Sequence, residues 1–138
     1  MEERGHHCLI LQKSTAPGTV EDLGFKTFDN TDLNHAETYF KSKGQPTEWV
    51  KRPYQGKTLL TSDYMRIPIE FYHEMDRLAP IHQNNSLYKG VKPLRIGHFN
   101  CFNTNVDASV ALYSDFGFCV AEYTEDEDSK RLCAAWLH

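Results

Sequence analysis

The sequence has no C-x-x-C pair, no long apolar run and no excess of basic residues, and each absence removes a class of function. Its four cysteines, Cys8, Cys101, Cys119 and Cys133, stand 93, 18 and 14 residues apart, which gives no support to a zinc knuckle or a dithiol redox motif. Three of them lie in apolar segments, where free cysteine behaves as a small hydrophobe, so all four are expected to be reduced and structural. No apolar stretch approaches the roughly 18–20 residues of a membrane span. The N-terminus, MEERGHHCLIL, opens with acidic residues and its apolar run is too short for a secretory signal. A formal charge of −4 offers no field for a phosphate backbone, which argues against nucleic acid as a partner. With 40% hydrophobic and 25% charged residues, the chain is expected to be a soluble, cytoplasmic globular protein.

What is present is organised around residues 95–117, RIGHFNCFNTNVDASVALYSDFG. Alternation over 95–102 predicts a strand with His98, Asn100 and Phe102 on one face. Residues 103–105 supply turn and N-cap chemistry. Val106, Val110 and Tyr113, widened by Leu112 and Phe116, form the apolar stripe of a helix that Gly117 ends. A histidine on the first strand of such a unit is either a metal ligand or a hydrogen-bonded, half-buried side chain.

The rest of the chain follows a related plan. A strand is expected at 6–12, a turn-rich insert at 13–30, and a helix at 31–43 with Leu33, Ala36 and Phe40 inward and Gly44 beyond its end. Strands are expected at 47–52, 57–62 and 67–73. Pro68 suggests that the last has a free edge or irregular pairing. Residues 74–93 read as a connector, and strands follow at 118–123 and 131–137. Between those two, 122–128 holds five acidic residues in seven. It lacks the spaced Asp-x-Asp pattern and glycine of a calcium loop, so a solvated hairpin tip is expected. His73-Glu74 lacks the second histidine of H-E-x-x-H, and His35 and His82 read as solvated.

Strand, helix, glycine and strands thus occur twice. The fold expected is α+β, made of paired βαβββ units with the second incomplete: a unit at 1–76, a linker at 77–94 and a partial unit at 95–138. The sequence stops within a predicted strand, and reads as cut at its C-terminus.

Paired βαβββ units with a histidine on the first strand resemble the vicinal oxygen chelate superfamily of glyoxalase I, bleomycin-resistance proteins and type I extradiol ring-cleaving dioxygenases. The closer similarity is to dioxygenases of the homoprotocatechuate (3,4-dihydroxyphenylacetate) and catechol 2,3-dioxygenase kind. It rests on RGHHCLIL, IPIEFYHEM, LYKGVKPLRIGHFN, YSDFGFCVAEYTED and AAWLH, in that order. The resemblance implies two modules of two units each, with metal in the C-terminal module only. It assigns His98 to the first ligand of a 2-His-1-carboxylate site for Fe(II) or Mn(II), where a catechol and O2 meet. Trp136 resembles a pocket residue near the substrate's side-chain carboxylate, although core packing would also account for it.

The second metal histidine, the metal glutamate and the acid–base histidine of that family correspond to positions beyond His138, so the chain alone is expected to be inactive. His7 and Glu70 occupy ligand-like places in the first unit and could complete a triad with His98. Against that, His6 and His7 read more simply as an exposed N-terminal pair, and Glu70 equally well as a solvent-facing side chain. The alternative is a free-standing binding protein of the bleomycin-resistance type, for which the length suffices. An unpaired edge strand would favour a homo-oligomer.

Overall fold

The structure, a computed structural model, describes residues 5–79, 86 and 98–138. The chain divides into two compact units, one of Met1–Thr61 with Pro68–Phe99 and one of Ser62–Ile67 with Asn100–His138. The expected linker at 77–94 lies outside the described residues except at 77–79 and 86.

The first unit runs β1 (Leu23–Lys26), α1 (Asn30–Ser42), β2 (Glu48–Lys51), β3 (Lys57–Ser62) and β4 (Pro68–Tyr72), a βαβββ order. Its sheet is ordered β1-β4-β3-β2, with β1 parallel to β4 and β2 antiparallel to β3. Helix α1 begins at a reciprocal cap. Asp29 accepts from the backbone N–H groups of Thr31 and Asp32, and the Asp32 side chain accepts from the Asp29 N–H. The helix ends as the sequence predicts, with Gly44 at φ 72°, in the left-handed region that favours glycine. Leu33 and Phe40 are buried and pack with Leu59, Ile69 and Phe71 as the core. The Phe40 and Phe71 rings lie 5.7 Å apart, and Phe25 on β1 reaches Phe71 at 5.8 Å.

The Thr31 hydroxyl, which donates to Asp29 Oδ1 at 2.6 Å, and then the backbone N–H groups of Asp32 and Thr31 hold the Asp29 carboxyl below its ordinary value. A depressed folded value stabilises above the unfolded value of about 3.9 and is lost as pH falls through the folded one. Asp29→Ala is therefore expected to melt below the wild type at neutral pH. The gap should close in acid, as followed by helix circular dichroism; a gap independent of pH would discount the cap.

The first strand corrects the sequence reading. Residues 6–12 form no strand; Leu9, Ile10 and Leu11 are exposed, and Gly5 makes an isolated bridge to Arg77. The strand lies instead at Leu23–Lys26, inside the stretch read as a turn-rich insert. Gly24 is not turn punctuation there. It faces Glu70 in the register, and a Cβ at Gly24 would stand 3.1 Å from Glu70 Oε1. Pro68 is likewise not on an edge strand: β4 lies between β1 and β3, and Pro68 is its first residue, where a missing N–H is tolerated.

The second unit holds α2 (Val106–Asp115) and an antiparallel hairpin of β5 (Val120–Glu125) and β6 (Leu132–Leu137). Asn105 caps α2 by accepting from the Ala108 N–H at 3.1 Å, and Gly117 follows at φ 92°. Helix α2 packs against β6 with Ser109 and Leu112 buried, whereas β5 is exposed at every position. The strand expected at 95–102 does not form over 98–102; its first three residues lie outside the described ones. The acidic run lies along β5 and the hairpin turn, as expected, with Asp126 accepting from the Ser129 N–H and hydroxyl. All four cysteines are free but exposed rather than packed, because they fall on the unstructured N-terminal stretch, before α2 or on the sparsely covered hairpin.

Candidate functional site

Glu70 is the best-defined of the sequence-derived candidates. It is buried on the central strand β4, not solvent-facing. Gln55 Nε2 donates to its Oε1 at 3.1 Å, and Arg52 Nε lies 3.4 Å from its Oε2. Arg52 also donates from Nη2 to Asp22 at 2.9 Å, and Gln55 donates to Thr58 Oγ1 at 3.1 Å. The carboxylate thus has a cation and an amide as partners within its own sheet, which satisfies a buried charge. Arg52 and Gln55 carry no motif; their part follows from the turn between β2 and β3, which sets them opposite Glu70.

His7 is half-buried, with Nδ1 3.2 Å from Nδ1 of His6. His6 in turn stacks on Tyr54, ring centroids 3.7 Å apart, and its backbone N–H donates to the Asp76 carbonyl. The observed position of β1 changes the internal correspondence. Phe25 precedes Gly44 by the interval at which His98 precedes Gly117, nineteen residues from 25 to 44 and from 98 to 117. The counterpart of His98 in the first unit is therefore Phe25, a half-buried residue against Phe71, not His7.

His98 is exposed. Trp136 pairs with Glu122 across the hairpin and is 48% exposed, so it is not a core residue of this unit. His73 Nδ1 donates to the Thr27 carbonyl at 3.1 Å, His35 is solvated, and His82 lies outside the described residues. Among the described residues no three His, Cys, Asp or Glu side chains group so as to hold a metal ion; His7, Glu70 and His98 are not brought together. A cavity of about 370 Å³ lies where Lys51 and Arg52 face Glu74 and Asp76, and none of the four candidate residues lines it. No helix among the described residues is long and apolar enough to cross a membrane.

No protein-family model matches the sequence, and no curated protein sequence matches it. Solved structures do. Native homoprotocatechuate 2,3-dioxygenase from Arthrobacter globiformis matches at a TM-score of 0.87 and 28% identity, over 99% of this chain and 43% of that one. A variant of the Brevibacterium fuscum enzyme matches at 0.84 and 30%, over 99% and 38%. The Brevibacterium fuscum enzyme in complex with 3,4-dihydroxyphenylacetate matches at 0.74 and 30%, over 85% and 37%. The chain therefore spans less than half the length of each of these structures. With a βαβββ unit followed by a helix and hairpin, it carries the vicinal oxygen chelate fold and resembles, over nearly its whole length, a part of the extradiol ring-cleaving dioxygenases.

Proposed function

We propose that this chain is the part of an extradiol catechol dioxygenase that spans its two modules, with 1–76 ending the first, 77–94 linking and 95–138 opening the catalytic one. The observation that carries this reading is the match over 99% of the chain to homoprotocatechuate 2,3-dioxygenase. The reaction is cleavage of a catechol ring, of the 3,4-dihydroxyphenylacetate class, beside its diol by O2. A bound Fe(II) or Mn(II) supplies a Lewis-acidic meeting point for the two reactants. The described residues do not by themselves fit such an ion: Glu70 is taken up by Arg52 and Gln55, and no three-ligand group exists among them. This chain's contribution is His98 as one ligand and Trp136 as a pocket wall, both with side chains open to further partners.

The exposed Val120, Tyr123 and Trp136 of the hairpin and the exposed Leu9–Leu11 stretch support a homo-oligomer. The protein belongs to the cytoplasm on this reading.

Oxygen uptake with 3,4-dihydroxyphenylacetate tests the proposal, using the longest native form of the protein loaded with Fe(II) or Mn(II). His98→Ala is expected to lower the rate by at least about 100-fold and release metal, since even outer-shell losses reach that size. An unchanged rate would remove His98 from the site. A native form of 138 residues that binds the catechol without consuming oxygen would replace the enzyme by a dimeric binding protein of the bleomycin-resistance type.

A further inference from the structure

The turn Ser62–Ile67, which groups with Asn100–His138, is held by a carboxylate with no part in the proposed chemistry. Asp63 is 1% exposed. Its Oδ1 accepts from the N–H groups of Met65 and Ile67, each at 2.8 Å, while its own N–H donates to the Ile67 carbonyl at 3.0 Å. These bonds close the turn around Arg66, which sits at φ 62°, a left-handed conformation that strains a non-glycine residue. The second oxygen, Oδ2, is buried and has no hydrogen bond of good geometry. A buried carboxylate oxygen left in that state is costly, so a donor is required of its neighbours.

Helix α2 places Tyr113 beside it. The ring is held edge-on by Phe116 and Phe118, at 6.3 and 5.8 Å between centroids. Elsewhere on the turn, the Thr104 hydroxyl donates to Met65 Sδ at 3.4 Å, so this packing does not depend on Tyr113 alone.

We propose that the Tyr113 hydroxyl is the donor for Asp63 Oδ2, and that this pair is a latch holding the strained 62–67 turn in place. The phenol is kept protonated far above its ordinary range, first by burial and then by the Asp63 charge, with the Cys101 thiol as the other acidic neighbour. Although Cys101 is exposed as a residue, partial desolvation of its thiol and then the same Asp63 charge push that thiol up as well. A folded value raised above the unfolded phenol value of about 10 stabilises at lower pH and is lost as pH rises through the folded value. The latch therefore opens only in alkali.

Amide hydrogen exchange at Met65 and Ile67 tests the latch in the full chain. Tyr113→Phe is expected to speed both amides by about tenfold, the size of one lost hydrogen bond. Tyr64→Phe, an exposed residue of the same turn, is expected to leave them unchanged. Phenolate absorbance supplies the second readout. A late-ionising tyrosine, above the ordinary phenol range, should vanish from the titration in Tyr113→Phe and move earlier in Asp63→Asn. Wild-type exchange rates in a folded Tyr113→Phe protein would overturn the latch. So would the absence of a late-ionising tyrosine, or one that Asp63→Asn does not move, whichever variant folds poorly.

Discussion

Phe40→Ala is expected to lower stability by about 3–5 kcal/mol, the range for an aromatic truncated in a core. The side chain is fully buried, and its ring meets Phe71 on β4 and Tyr39 on its own helix at 5.7 and 5.4 Å. Because α1 covers the sheet through this residue and Leu33, the cavity has few routes to collapse. Domains of this kind have only about 5–15 kcal/mol in hand, so the loss would leave much of the first unit unfolded at moderate temperature. Urea unfolding followed at Trp49, which lies on β2 of the same unit, measures it. Phe40→Leu should cost much less, because most of the volume is kept. A loss below about 1 kcal/mol for Phe40→Ala would mean that α1 does not seal this core.

Glu70→Ala is expected to cost about 1–3 kcal/mol, for a different reason. The substitution strands Gln55, which is buried, and leaves Arg52 with Asp22 alone. Arg52 is 39% exposed along its side chain, so water screens much of its attraction to Glu70, and the lost amide bond dominates. Glu70→Gln keeps the shape and one hydrogen bond to Gln55 and should cost less than Glu70→Ala. A double-mutant cycle with Arg52→Met isolates the ionic part, expected to be the smaller share. The pair of variants also separates two roles for this carboxylate. A structural Glu70 alters the unfolding midpoint and leaves metal uptake through His98 unchanged. A ligand Glu70 would do the reverse: near-wild-type stability for Glu70→Gln, with metal affinity lost.

The contrast between β1 and the 6–12 stretch shows where sequence reasoning reached its limit. CLIL has the composition of a strand, and Leu23–Lys26, with a glycine in its middle, does not. Strand formation depends on a partner edge. The edge of β4 is taken by Leu23–Lys26 because Gly24 lets the Glu70 side chain lie across it, and because Phe25 reaches Phe71. Neither condition involves neighbours in sequence, so neither left a local signal. The misplaced strand carried His7 with it, since the ligand-like status of His7 rested on that alignment. Asp63 left no signal either: a lone aspartate in S-D-Y-M-R gives no hint that two amides converge on one of its oxygens.

The two helices were legible because everything that defines them is local. Asp29 and Asn105 cap their own first turns, Gly44 and Gly117 accept left-handed backbone after the last ones, and the apolar positions recur at helical spacing. The hairpin and its acidic turn, the helix and three strands that follow β1 in the first unit, and the resemblance to extradiol dioxygenases were legible for the same reason, being carried by runs of adjacent residues. Tertiary structure alone decided which segment became β1, which side chains Glu70 and Asp63 answer to, and that His7, Glu70 and His98 stay apart. Those are pairings between residues distant in the chain. They are set by the register of strands and the packing of one helix, which no window of sequence contains.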